Sequence, residues 1–303
     1  MAKVNIPLTV SAQNKARYYK NFKLATQKNG RLMLFAADQK IEHLNDDFYG
    51  RDAHIDDANP EHLFKIAKKA KVGVMATQLG LLANYGSNYK QIPYLIKLNS
   101  KTDLVETKIQ DPVSKLINTV DEAVEFQKNS RLKIIGIGYT IYLGSQFEAD
   151  MLAEASKVIY KAHKHGLITV LWVYPRGKAV DNEKDSHLIA GAAGVAACLG
   201  ADFVKLSYPA KSSKAKIHEI INAAGRTGVI FSGGSSIEPK AFLKKLSQQI
   251  AYGAKGSATG RNIHQQSFDK AVRMAKAIKS ISIYNYSYID AYKIYLGKKR
   301  FNK

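Results

Sequence analysis

Short apolar runs rich in β-branched residues recur along the chain, and most precede a segment whose apolar positions repeat with helical spacing. The runs lie at 32–38 (LMLFAAD), 72–78 (VGVMATQ), 94–99 (YLIKLN), 134–143 (IIGIGYTIYL), 168–175 (ITVLWVYP), 203–209 (FVKLSYP), 228–234 (GVIFSGG) and 255–262 (KGSATGRN). Continuous apolar character, in place of strict alternation, fits parallel strands covered on both faces. Between them, NPEHLFKIAKKA (59–70) sets Pro just inside a helix start with Glu next. FEADMLAEASKVIYKAHKHG (147–166) ends on Gly166 after a basic last turn, as a helix terminus should. Residues 185–199, 213–224, 238–253 and 267–280 supply further helical patterns. The stretch 79–93 gives no clear period, and 100–133 reads as loop ahead of a helix near 119–129.

Eight strands with helical crossovers predict an α/β fold, a TIM (β/α)8 barrel, with an open doubly wound sheet as the rival. The glycine-rich ends of the last two runs favour the barrel, in which a phosphate site recurs after strands 7 and 8. No Pro-, Gly- or Ser-rich linker divides the chain, so 1–303 is read as a single barrel domain. Residues 1–30 form an N-terminal extension, and 284–303 a Tyr-rich C-terminal tail expected to pack on the barrel or on another subunit.

Composition narrows the setting. No run of apolar residues is long enough for a transmembrane helix, and the N-terminus lacks the pattern of a secretory signal. One cysteine, Cys198, cannot make an internal disulfide or a zinc cluster; in AGAAGVAACLG it reads as a core thiol. A cytoplasmic location is the expectation. Lys and Arg exceed Asp and Glu by 21, which raises the question of nucleic acid. The charges are scattered over amphipathic segments without interleaved aromatics, and lysine predominates, so specific nucleic-acid binding is not expected. A general attraction for anionic substrates is.

Lys205 interrupts the apolar run FVKLSYP near its end, where barrel strands present their reacting groups. Burial makes an ammonium easier to deprotonate, and a free amine attacks ketones to give a Schiff base that draws electrons from an adjacent C–C bond. Alternatively, Lys205 pairs with a buried carboxylate, and Asp38 at the end of the first strand is available; the two readings are compatible. Trp172 and Tyr174, two apart in LWVYPRG, share one side of their strand, so Trp172 can wall a pocket and Tyr174 can transfer protons. Pro175 stops that strand and leaves Arg176 at the rim. SGGSS (232–236) and ATGRN (258–262) offer Ser232, Gly233, Gly234 and Gly260 for close backbone approach to an anion, with Arg261 as a bidentate phosphate partner.

The series GADFVKLSYP, LWVYPRG, YTIYLGS, SGGSS and GRNIHQ, in this order from about residue 30 to about 275, resembles the archaeal-type, DhnA-like class I fructose-bisphosphate aldolases. The resemblance implies a metal-independent barrel enzyme without a cofactor, acting on a phosphorylated sugar as a homo-oligomer. It implies Lys205 as the Schiff-base lysine, Tyr174 as the proton-transfer residue, and Trp172 and Asp38 lining the site. Gly234, Gly260 and Arg261 match the phosphate positions, and Arg176 is offered for the other end of the substrate. The family usually carries Asp-His-Gly after strand 1; here Asp38 is followed by Gln39 and Lys40, then Glu42-His43. That departure bears on the substrate more than on the chemistry. Two other readings stand beside it: a Schiff-base aldolase or transferase for another phosphorylated keto substrate, and a basic non-enzymatic binding protein that kept the barrel.

Remaining signals take plainer readings. His163 and His165 suit a helix C-terminus better than a metal pair, and no HExxH or clustered Cys/His spacing is present. Gly144-Ser145 reads either as a phosphate turn or as a helix cap. The acidic residues at 181–185 read as a solvated loop.

Overall fold

Side chains in each apolar run divide by parity. In the first strand, β1 (Leu32–Ala36), Leu32, Leu34 and Ala36 join an inner apolar cluster, while Met33 and Phe35 join an outer one shared with the helices. The structure is a computed structural model that describes residues 4–50 and 52–301. The other strands are β2 (Val74–Thr77), β3 (Pro93–Lys97), β4 (Lys133–Leu143), β5 (Ile168–Pro175), β6 (Phe203–Leu206), β7 (Gly228–Ser232) and β8 (Gly256–Thr259). All eight pair in parallel, and β1 is bonded to both β2 and β8, so the sheet closes on itself. Closure decides for the TIM barrel against the open sheet. Burial on both faces is the physical reason the strands read as unbroken apolar runs.

Helices cover the outside between successive strands. The helix Ser186–Leu199 begins where Asp185 accepts hydrogen bonds from the backbone N–H groups of His187 and Leu188, and Val120–Ser130 begins in a Thr119/Glu122 capping box. The unclear stretch 79–93 holds a two-turn helix, Leu79–Tyr85, too short to show a period. Within 100–133 the sequence reading missed a small antiparallel ribbon, Asn99–Ser100 with Lys115–Leu116. Among the described residues no helix is long and apolar enough to cross a membrane.

The N-terminal extension, whose first three residues lie outside the described ones, lays the helix Lys15–Ala25 across the end of the barrel remote from the strand C-termini. Phe22 stacks on Phe203 at 5.7 Å, and Tyr18 donates a hydrogen bond to Asp202. His163 stands in the last turn of the helix Glu148–Lys164, as its setting suggested, but it is buried there. It is 1% exposed, and its ring nitrogens meet Thr9 Oγ1 at 2.7 Å and Asp202 Oδ2 at 3.1 Å, so it ties the extension to the barrel floor. Cys198 also departs from expectation: it is exposed, because its side of the helix faces away from the barrel. At the other end, Tyr288–Tyr295 forms a helix, and Tyr284 and Tyr286 pack edge-on against Phe301. These tyrosines pack on their own chain but stay half-buried, and Ile289 and Leu296 of the tail are exposed; residues 302–303 lie outside the described ones.

Candidate active site

Parity also aims the polar residues. On β5, Ile168 and Val170 face the barrel interior, so Trp172 and Tyr174 follow on the same side toward the C-terminal end. On β6 the same rule turns Phe203 and then Lys205 inward, and Trp172 is the register partner of Lys205. A cavity of about 420 Å³ opens at the strand C-termini. Lys205, Tyr174, Asp38, Arg176, Ser232, Gly233, Gly234, Gly260 and Arg261 all border it. Trp172 lies beneath, 2% exposed, its ring centroid 5.2 Å from Lys205 Nζ.

Lys205 is 6% exposed, and burial lowers its pKa from the ordinary lysine value. The charges of Asp38 and Glu42 oppose that shift and Arg261 reinforces it. Asp38 Oδ1 is buried without a hydrogen-bond partner among the described residues, and so is Trp172 Nε1. Such orphaned groups are costly unless something else satisfies them. A hydroxylated ligand in the cavity would do so. Tyr174 is pushed well above the usual phenol pKa, first by burial and then by the charges of Glu42 and Asp38, so it holds its proton at neutral pH.

The rim is cationic. Arg176 grips Glu183 through Nε and Nη2 at 3.0–3.2 Å and lies 5.7 Å over the Tyr174 ring. Glu183 is thus part of this rim, within a loop that is otherwise exposed as its sequence setting suggested. Lys184 and Lys245 also border the cavity; Lys245 sits 4.5 Å over Tyr208, its pKa lowered by burial and by the charge of Lys184. Arg261 reaches Asp47 only at 3.5 Å, and its Nε is buried without a partner among the described residues. Of the glycines proposed for the anion cradle, Gly233 has its N–H engaged by Ala258 O at 2.9 Å, so it shapes the turn while Gly234, at φ +71°, presents it. Gly260 is glycine for a steric reason: a Cβ there would collide with Gln39 Oε1. Gly144-Ser145 does not border the cavity, and Ser145 is not the helix cap either: the N-cap of Glu148–Lys164 is Phe147, while Ser145 Oγ accepts from Phe147 N and donates to Pro112 O in the turn before it.

The altered residues after Asp38 do not add a charge to the cavity. Gln39 packs on Gly260, with Oε1 3.4 Å from His264 Nε2, and Lys40 Nζ lies 4.1 Å over the Phe48 ring. Glu42, His43 and Asp103 form a grouping able to ligate a metal, with ligand atoms within 4.8 Å of one another among the described residues. Each already has a partner: Tyr142 Oη at 3.1 Å, Asp47 at 3.1 Å and Lys101 at 3.2 Å respectively.

Two residues at or near the site escaped the sequence reading. Glu42 borders the cavity and accepts from Tyr142. Lys97, 3% exposed, ends β3 with Nζ 5.3 Å from the Trp172 centroid. The signal for Lys97 was the same as for Lys205, a lysine at the end of an apolar run.

A model of the DeoC/LacD family aldolases matches residues 32–266. The fructose-bisphosphate aldolase/6-deoxy-5-ketofructose 1-phosphate synthase of Methanocaldococcus jannaschii is 56% identical over 299 residues, spanning 98% of this chain and 96% of that one. The solved fructose-bisphosphate aldolase of Slackia heliotrinireducens superposes with a TM-score of 0.97 at 49% identity, covering 99% of this chain and 96% of that one. An archaeal fructose-1,6-bisphosphate aldolase, solved with its catalytic Lys covalently bound to the carbinolamine intermediate of the substrate, gives 0.77 at 31% identity, over 88% of this chain and 99% of that one.

Proposed function

Since this chain belongs to the DeoC/LacD family of aldolases and is a lyase of the class I, Schiff-base kind, we propose that it reversibly cleaves fructose 1,6-bisphosphate to dihydroxyacetone phosphate and glyceraldehyde 3-phosphate, with Lys205 as nucleophile. The observation that carries this reading is the buried Lys205 amine bordering the cavity beside a protonated Tyr174 and an unsatisfied Asp38 oxygen.

Chemistry follows from those protonation states. The Lys205 amine adds to the C2 carbonyl and forms a carbinolamine. Tyr174, holding its proton, donates it to the departing hydroxyl, and water leaves an iminium. The phenolate so formed lies near the iminium and the charges of Arg176 and Arg261. It then takes the C4 hydroxyl proton as the C3–C4 bond breaks, its electrons passing to the iminium to give an enamine and the aldehyde. Reprotonation of C3 and hydrolysis release dihydroxyacetone phosphate. Asp38 accepts a substrate hydroxyl, and Gly234, Gly260 and Arg261 hold the C1 phosphate so that C2 sits over the lysine.

The second name of the Methanocaldococcus jannaschii relative favours one further reading. Cut between C3 and C4, 6-deoxy-5-ketofructose 1-phosphate yields dihydroxyacetone phosphate and 2-oxopropanal. The same enamine of Lys205 can therefore add either aldehyde, and only one of the two carries a phosphate.

Borohydride reduction in the presence of fructose 1,6-bisphosphate, followed by peptide mass spectrometry, tests the mechanism. A reduced adduct on the Lys205 peptide, lost in Lys205→Met, is the expected result. An adduct on another lysine, or none with any keto phosphate offered, overturns it. Cleavage and synthesis assays with glyceraldehyde 3-phosphate and 2-oxopropanal then rank the two acceptors.

A further inference from the structure

Lys97 is a second buried lysine at the C-terminal end of the barrel, and the mechanism above leaves it unused. It does not border the cavity. Its Nζ donates to Asn99 O at 2.6 Å and to Asn99 Oδ1 at 3.1 Å. Asn99 is fully buried and itself held: its Oδ1 accepts from Thr140 N at 2.7 Å, and its Nδ2 donates to Thr140 O at 2.8 Å and Ser114 O at 3.1 Å. The lysine cannot swing away without breaking this net.

What Lys97 faces is the wall behind the nucleophile. The Trp172 indole extends from β5 across β4, because Gly138 has no side chain to block it; a Cβ there would stand 2.5 Å from Trp172 Cζ3 and 2.8 Å from Leu95 Cδ2. The ring thereby reaches β3, and the two lysine nitrogens lie 5.3 Å and 5.2 Å from one centroid. Two buried lysines share one aromatic wall.

We propose that Lys97 is a positioning residue for the aldol site: fixed by Asn99 against Trp172, it orients the indole and, by like-charge repulsion, helps keep the Lys205 amine free of its proton. This rests on Lys205 being the Schiff-base nucleophile. The charged groups facing the pair are few. Asp38 from the end of β1 and Glu42 from the one-turn helix Gln39–Glu42 favour the protonated form of both lysines. Arg261, after β8, acts on Lys205 in the opposite sense. Burial first, and then the charge of Lys205, bring Lys97 down to about 8, so it carries its proton at neutral pH; Coulomb repulsion is mutual, so a charged Lys97 acts on Lys205 in turn. Above that value the repulsion fades. The distances to the shared ring place the two nitrogens no more than about 10 Å apart, and like charges at that limit, at an effective dielectric constant of roughly 20, shift a pKa by about one unit.

The test uses the full chain with Lys97→Met, which keeps length and loses charge, and Lys97→Arg, which keeps the charge. Wild-type trapping at Lys205 is measured first; its absence refutes the Schiff-base reading itself. Given trapping, the rate of adduct formation is followed from pH 6 to 10. In Lys97→Met the acid limb moves up by about one pH unit, so the rate falls about tenfold at pH 7 and recovers near pH 9. In Lys97→Arg the limb stays in place. A loss that is uniform across pH, or an unmoved limb in Lys97→Met, assigns Lys97 to packing alone and overturns the proposal. Should either variant unfold, the coupling is read in Lys205→Met with ¹³Cε-labelled lysine: the Lys97 resonance must titrate at higher pH than in wild type. An unchanged titration there also overturns it.

Discussion

Replacing Gly138 by Ala tests the arrangement of the inner barrel directly. The added methyl meets two rigid groups at once, Trp172 Cζ3 at 2.5 Å and Leu95 Cδ2 at 2.8 Å, in a layer where the neighbours are fully buried. Neither can yield without displacing the wall under Lys205. Overpacking of this kind costs about 1–3 kcal/mol, against which the reduced freedom of the unfolded chain returns about 0.4–1 kcal/mol. A net loss of about 1–2 kcal/mol is expected, seen as a melting temperature lower by a few degrees in a chain of this size. The functional loss should be larger in proportion, since displacing a positioning group by about 1 Å can cost about 100-fold in rate. Thermal melts and adduct-formation rates measure the two separately. The Gly138→Ala, Trp172→Phe double variant lacks the ring atoms that clash, so it should regain stability relative to Gly138→Ala alone, with a coupling of about 1 kcal/mol. An alanine variant that melts and reacts like wild type, or a strictly additive cycle, would show that the indole does not span β4, and the link between the two lysines would fall with it.

Three further outcomes follow from the same geometry. Tyr174→Phe removes the proton donor of the dehydration step and the base of the cleavage step, so the reducible adduct at Lys205 should form more slowly and C–C cleavage in single turnover should drop about 10²–10⁴-fold, the range for a lost general acid–base; an unchanged rate of either step would argue against the assigned role. Lys245→Met removes a cation from the rim but leaves the Arg261 end untouched, so KM for fructose 1,6-bisphosphate should rise about 10-fold or more while that for fructose 1-phosphate stays put; equal changes for both sugars would remove Lys245 from phosphate recognition. Lys97 also leaves a mark on stability. Its folded-state pKa of about 8 lies below the ordinary 10.5, so between those values the unfolded chain binds the additional proton and stability rises with pH, returning about 3 kcal/mol that is missing at pH 7. Urea unfolding of wild type against Lys97→Met should show that difference open between pH 8 and 10.5; parallel curves would deny it.

What the sequence disclosed and what it withheld divide along one physical line. Parity within a strand is local, so Trp172 and Tyr174 could be set on one side, and Lys205 beside them, before any fold was known. Turn chemistry is local too, and it put Gly234 and Arg261 at strand ends. Contacts across the barrel are not local. Lys97 lies 108 positions from Lys205 in the sequence, and only closure with β3, β4, β5 and β6 adjacent sets both on one indole. The same holds for His163, which looked like a helix-end cation until the N-terminal extension folded under the barrel and presented Thr9 and Tyr18 to the His163–Asp202 pair. Glu183 was obscured differently: its acidic neighbours suggested solvent, but the turn after β5 folds it back onto Arg176. That ion pair has a consequence for binding. Any anion that uses Arg176 must compete with a carboxylate already held bidentately, whereas Lys184 and Lys245 stand on the same rim with their charges repelling each other. Repulsion between like charges is relieved by an arriving phosphate, and an existing salt bridge is broken by it, so on the proposed cleavage of fructose 1,6-bisphosphate the lysines, ahead of Arg176, are the expected receptors for the distal phosphate.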